Sequence, residues 1–283
     1  MASAAFPWYR DRVIARFWQR WRRRGEQRAL ERRAISDALW QQTLTHLPFL
    51  ADRSAQDLER LRRMASLFLD RKEFSGAGGF IVEDAVALSV AVQACLPVLE
   101  LGLDQYDGFV GIVMHADAVV AEREVVDDVG VVHQYDEVLA GEAMEGGPLM
   151  LSWADVQGGD DREARTSAYN VVIHEFAHVL DMRDGEPDGV PLLPSAHARK
   201  AWLAVLGPEY DRFCERVVCG YDTVLDAYAA EAPEEFFAVA SEAFFVTPRE
   251  LKEEQPAMYR LLASYYRQDP AALRPATGRS QAA

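Results

Sequence analysis

The segment Pro233–Val246 is apolar nearly all round. Phe236, Phe237, Val239, Phe244, Phe245 and the alanines between them leave no polar face for solvent. A helix here has to be buried. Two carboxylates, Glu235 and Glu242, stand seven residues apart and share one stripe of that helix. A buried carboxylate needs a cation or strong hydrogen-bond donors. The chain must therefore fold around this segment and carry such a partner to the stripe.

The run His174-Glu175-Phe176-Ala177-His178 supplies a partner. On a helix, residues four apart point the same way, so the two imidazoles can share one Zn²⁺. The glutamate between them lies beside the metal, off the ligand stripe, where a general base for the metal's water belongs. At 100° per residue, Tyr169, Val172, Ile173, Phe176, Val179 and Leu180 form one broad apolar arc. His174 and His178 fall on the opposite side, near Ser167, Asn170 and Asp181, so the stripe faces a cleft and Gly185 can end the helix. A catalytic zinc normally takes three protein ligands and a water. The extended HExxHxxGxxH pattern is absent, since positions 181 and 184 are both Asp. The remaining histidines, His46, His115, His133 and His197, are isolated. Glu235 and Glu242 are the better candidates for the third ligand, and their shared stripe does not choose between them. Asp181 is a rival whose place suits a supporting or capping role.

The order of elements points to an α+β fold. Residues 10–34 and 54–73 have helical spacing, the latter on Leu58, Leu61, Met64, Ala65 and Phe68. Ser75–Gly79 is a glycine turn, Phe80–Val82 a short strand, and Asp84–Cys95 a helix limited by Pro97. Phe109–His115, Val129–His133 and Leu149–Trp153 read as strands between Gly/Asp turns. Helices follow at about 162–183, 195–217, 233–246 and 249–266, the last opened by Thr247 as N-cap, Pro248 at N1 and Glu250 as a capping-box partner. The expected organisation is a basic N-terminal arm over 1–50, a zinc peptidase domain over 51–270 and a flexible tail over 271–283.

Charge narrows the partners. The chain carries 30 Lys+Arg and 45 Asp+Glu, a net −15. Residues 1–40 alone are +6, so the rest is −21. That acidic body lacks the clustered cations needed to grip a phosphate backbone, so no direct nucleic-acid binding is expected of it. The arm interleaves Ile14, Phe17, Trp18 and Trp21 with arginines. It suits a solvated helix packed on the acidic body, with membrane contact as the alternative. Cys95, Cys214 and Cys219 form no disulfide framework. No stretch is long and apolar enough to span a membrane, and no signal-peptide core interrupts the arginines, so the expectation is cytoplasmic. A serine nucleophile elbow, a zinc-deaminase PCxxC and a Walker A loop are all absent.

From about Phe80 to Pro270 the sequence resembles the Mlc titration factor A family of zinc peptidases. The likeness is carried by residues 95–103 (CLPVLELGL), 107–109 (DGF), 127–133 (DDVGVVH), 174–185 (HEFAHVLDMRDG), 226–230 (DAYAA) and 233–245 (PEEFFAVASEAFF). The resemblance implies a zincin-like catalytic domain with a small mixed sheet and an HExxH active-site helix, similar to the catalytic domain of anthrax lethal factor. It implies one Zn²⁺ per chain on His174, His178 and Glu235, with Glu175 as the catalytic base. It also implies an oxyanion-stabilising tyrosine seven residues before the ligand glutamate, which is Tyr228 here. The implied partners are a peptide or protein substrate and, in enteric relatives, a DNA-binding repressor of sugar uptake. Two functions follow as expectations: a zinc-dependent peptidase with aminopeptidase-like activity, or a regulator-sequestering binding protein.

Overall fold

The computed structural model describes residues 24–126, 132–143, 146–158, 168–185 and 187–273. Ile14, Phe17, Trp18 and Trp21 of the arm, the first part of the expected 129–133 strand and the tail after 273 lie outside the described residues.

Helix α1 covers residues 24–32, followed by α2 (Asp37–Thr45) and α3 (Ala55–Arg71). Ser36 and Ser54 cap the last two through their hydroxyls, as short polar side chains do at helix starts. Arg32 makes a bidentate pair with Asp70, the Ser66 hydroxyl donates to the Arg33 carbonyl, and Ala29 and Trp40 are buried. Residues 24–50 thus pack on α3.

Strand β1 (Glu73–Gly76) precedes α4 (Asp84–Cys95). The strand expected at Phe80–Val82 lies earlier, at Glu73–Gly76. The β-propensity of Phe80-Ile81-Val82 is overridden by tertiary pairing. Glu73–Gly76 sits in parallel register with Gly111–Met114, and the chain then folds back so tightly that the Phe80 carbonyl oxygen would lie 1.7 Å from a Cβ at Gly76. Only glycine permits that turn.

Strands β2 (Gly111–His115), β3 (Val119–Val126), β4 (Val132–Leu139), β5 (Gly141–Ala143) and β6 (Leu149–Ser152) follow. They form a four-stranded mixed sheet in the order β1-β2-β6-β5 and a separate two-stranded ribbon of β3 and β4. β1, β2 and β6 run parallel, and β5 joins the edge antiparallel to β6. β3 and β5 had no counterpart in the sequence reading.

A one-turn helix α5 (Trp153–Val156) leads towards α6 (Val171–Asp181). α6 starts later than the expected residue 162, because Asn170 is its N-cap, with Oδ1 accepting from Ile173 N. A 3₁₀ turn continues α6 to Gly185, whose φ of 104° ends it in the left-handed region. Helices α7 (Ala196–Val218), α8 (Pro233–Val246), α9 (Pro248–Glu254) and α10 (Pro256–Tyr266) complete the chain. The expected single helix 249–266 is two, because Pro256 has no N–H to continue the first and instead opens the second. Thr247 stands at the foreseen cap position, but its side chain makes no capping bond.

The architecture is α+β, with one hydrophobic core built around α8. Every residue from Phe236 to Phe245 is buried, as the all-apolar pattern requires. α6 lies across α8 and against β5 and β6. Its apolar arc is anchored by Phe176, whose ring meets Tyr106 at 4.8 Å, Phe68 at 5.7 Å and Phe109 at 5.9 Å between centroids. Burying one such ring contributes about 1.5–3 kcal/mol. This anchoring sets the opposite face of α6, with its histidines, towards the N-terminal end of α8. Among the described residues, no helix is long and apolar enough to cross a membrane.

Candidate metal centre

His174 and His178 project from one side of α6 with ring centroids 4.8 Å apart. Their Nε2 atoms approach to 3.1 Å. Glu235, in the first turn of α8, brings Oε2 to 3.1 Å from His174 Nε2 and 3.4 Å from His178 Nε2. These are distances of proximity only: Glu235 Oε2 is buried and has no hydrogen-bond partner of proper geometry. A buried carboxylate oxygen without a partner is costly. Three donor atoms facing one point suggest what belongs there. A tetrahedral ion bound at ~2.0–2.1 Å separates its ligands by about 3.3 Å, and the three observed separations bracket that value. His174, His178 and Glu235 are therefore compatible with one metal ion, and they form the one such group among the described residues.

Glu242 does a different job from Glu235. Its Oε1 lies 2.8 Å from His174 Nδ1, and its Oε2 accepts from the Asn170 backbone N–H. That contact favours a proton on Nδ1 of His174, so that in the neutral ring Nε2 is the lone-pair nitrogen facing Glu235. Asn170 Nδ2 in turn donates to Gln93 Oε1 at 2.7 Å, and Gln93 Nε2 donates to the Ser89 carbonyl. A chain of buried polar groups thus runs from α4 to the imidazole.

Glu175 is 6% exposed and lies between the apolar arc of α6 and its histidine stripe. Edge strand β5 lies against it, and a Cβ at Gly141 would stand 2.6 Å from both Cγ and Oε1 of Glu175. Burial raises the Glu175 carboxyl above the usual range, while His174, His178 and the Ala143 backbone pull the other way. Burial also raises Glu242, against the hydrogen bond from His174. For His174, burial alone would favour the neutral ring, but Glu235 and Glu242 outweigh it and raise the value well above that of free histidine. Burial works against the charge on Glu235 too, yet the two imidazoles hold it far below the ordinary carboxylate range. The side chains by themselves form a cluster that needs positive charge.

Tyr228 sits in a 3₁₀ turn (Ala227–Ala230) capped by Asp226, whose Oδ1 accepts from Tyr228 N. Its ring is 6.1 Å from that of His174 and 42% exposed, open to the cleft. The Tyr210 hydroxyl donates to the Ala230 carbonyl and ties the turn to α7. Asp181 is not at the cluster. It is buried, and its Oδ2 accepts from Gly189 N at 2.8 Å, so it anchors the loop after α6. The cysteines are free, with Cys95 buried, Cys214 half-buried and Cys219 exposed.

Gly141 and Gln93 were not singled out in the sequence, and Asn170 was named only as a neighbour of the histidine stripe, not as the N-cap of α6. A glycine within a strand marks a close backbone approach, and an Asn ahead of an apolar-periodic run marks an N-cap. Those two signals could have found Gly141 and Asn170. Nothing local marks Gln93.

Residues 18–267 match the glucose-regulated metallo-peptidase M90 family. The chain belongs to that family. The M90 match begins well before Phe80, so the family unit takes in α1 to α3 as well as the segments in which the likeness was first read. Mlc titration factor A of Salmonella arizonae is 35% identical over 242 residues, covering 83% of this chain and 92% of the relative. The protein of the same name from Salmonella gallinarum is 35% identical over 238 residues, 82% of this chain and 86% of the relative. The uncharacterized protein slr2042 of Synechocystis sp. is 37% identical over 233 residues, 82% and 84%.

Proposed function

We propose that the protein is a zinc-dependent peptidase of zincin-like fold, with one Zn²⁺ held by His174, His178 and Glu235. The observation that carries this reading is the convergence of Nε2, Nε2 and a buried, partnerless Oε2 beside a second glutamate, Glu175. Two imidazoles and a carboxylate with an open fourth position are the ligand set of hydrolytic zinc. Zinc bound there supplies Lewis-acid polarisation of the scissile carbonyl and lowers the pKa of the attacking water. Glu175 takes the proton of that water and later delivers it to the leaving amine, a task suited to a buried carboxyl whose pKa is raised towards the working pH. The Tyr228 hydroxyl donates to the oxyanion as it develops. Glu242 fixes the tautomer and tilt of His174. The substrate is a peptide or protein, and aminopeptidase-like action is part of the proposal.

The test combines metal analysis with cleavage of a peptide library. Wild type is expected to bind about one equivalent of zinc and to cleave. Glu175→Gln is expected to keep the zinc and lose hydrolysis. Full activity in that variant would sink the mechanism.

A second reading has its own support. The Salmonella relatives are named Mlc titration factor A, and the acidic body suits a basic, DNA-binding protein partner. In this reading the chain sequesters a transcriptional repressor. Repressor capture by His174→Ala, undiminished, would make binding a function separate from catalysis.

A further inference from the structure

We propose that the cleft between α2, α4, α5 and the start of α6 is a second binding site, and that its ligand is a neutral carbohydrate. The cleft holds ≈ 690 Å³, inside the ~300–1,000 Å³ of small-molecule sites. It lies behind the metal centre, on the far side of Glu242, and shares no residue with the three-donor cluster.

Its chemistry selects for an uncharged ligand. No carboxylate, lysine or arginine is among the described residues that line it, and His46 is the one imidazole. The start of α6, where an anion would otherwise be welcome, already faces the Glu242 carboxylate through Asn170 N. A ligand of either charge would thus find no lysine, arginine or carboxylate to pair with among the described residues that line the cleft.

Its side chains select for hydroxyl groups. The floor is the amide pair Asn170 and Gln93, both at least nine-tenths buried. They bond to each other through one hydrogen of Asn170 Nδ2 and one lone pair of Gln93 Oε1. Each of those two atoms therefore has capacity for one further bond, one as donor and one as acceptor. A vicinal diol, in which each hydroxyl both donates and accepts, matches that pair. Gln42 on the exposed rim adds a neutral amide, and the Thr45 hydroxyl, whose hydrogen goes to the Gln41 carbonyl, adds an acceptor. Phe49, Trp153 and Tyr169 contribute aromatic surface, against which the C–H face of a pyranose ring packs. Neutral amides below and aromatic surface at the walls are the combination that a polyol with an apolar ring face requires.

The experiment is calorimetric titration of the full chain with glucose, maltose and cellobiose, with a sugar phosphate and adenosine as the charged and the aromatic comparison. At least one neutral saccharide is expected to bind saturably with a Kd of about 1 mM or tighter. Ala85→Phe, which fills the mouth at the start of α4, and Gln42→Ala, which removes an exposed rim amide, are expected to weaken it about tenfold or more. Gln42 has no packing role, so it reports on the site even where Ala85→Phe fails to fold. Absence of saturable binding by all three saccharides up to about 10 mM would overturn the proposal. So would tighter binding of the sugar phosphate or adenosine, or binding unchanged in both variants.

Discussion

Replacing Gly141 with alanine adds one methyl group and is expected to cost catalysis far more than stability. The new Cβ would stand 2.6 Å from Cγ and Oε1 of Glu175 and 2.8 Å from Cδ. Carbon atoms settle at about 3.5 Å or more, so the Glu175 side chain must move by about 0.9 Å. Gly141 itself is paired with Leu151 and held in the sheet by β6, so the side chain yields rather than the strand. A glutamate terminus can rotate aside at small energetic cost. In the proposed mechanism its carboxylate, however, has to meet the attacking water within hydrogen-bond reach, and a misplacement near 1 Å costs about 100-fold in rate. Steady-state hydrolysis of a cleaved library peptide is therefore expected to fall about 100-fold in kcat/KM. Zinc content and thermal midpoint should stay close to wild type, because neither His174, His178 nor Glu235 is touched. A kcat/KM within about threefold of wild type, with the metal loaded, would refute both the steric step and the assignment of Glu175 as the base. Equal loss of metal and activity would refute the separation of Glu175 from the ligand set.

Three further outcomes follow from the same geometry. Glu242→Ala removes the acceptor of His174 Nδ1 and of the Asn170 N–H. Zinc affinity measured by chelator competition should drop about 10–100-fold, and urea unfolding should show a loss of about 1–3 kcal/mol for the orphaned donor. Phe176→Ala empties the junction of three aromatic rings behind α6, and should destabilise by about 3–5 kcal/mol in the same assay. Asp181 is fully buried, and burial raises its carboxyl from 3.8 to about 7. A carboxyl raised on folding contributes stability below its unfolded value, and that contribution is lost as pH climbs towards the folded value. Wild type should thus lose up to about 4 kcal/mol relative to Asp181→Asn between about pH 4 and pH 8. Parallel pH profiles of the two proteins would remove this account.

The helices were legible wherever burial is one-sided or total. α3, α4, α7 and α8 carry their spacing in plain view, and Phe236 to Phe245 could be nothing but interior. The strands were less legible for a physical reason. β1 is Glu-Phe-Ser-Gly, a sequence with almost no intrinsic β preference, and it exists because β2 offers it a parallel partner. The β-rich run beside it, Phe80–Val82, finds no such partner and stays irregular. Pairing across the sheet is a long-range event, and a local window does not contain it. Pro256 is the opposite case, a local signal that divides α9 from α10 and that a strong flanking helical pattern obscured.

The two glutamates of α8 show where a stripe stops being informative. Glu235 and Glu242 are two helical turns apart on the same face, and both meet His174. What separates them is which nitrogen each one meets. Glu235 lies near Nε2, on the side that His178 also faces, whereas Glu242 lies on Nδ1. That difference is set by the height at which α6 crosses α8, which depends in turn on Phe176 seating among Phe68, Tyr106 and Phe109. None of those three rings is within sixty residues of the glutamates in sequence. Exchanging the roles would take a slide of α6 along α8 by two helical turns, about 11 Å, and the aromatic junction holds it against that. The candidate ligand set is therefore decided by packing on the back of the helix, at a distance from the residues that bind.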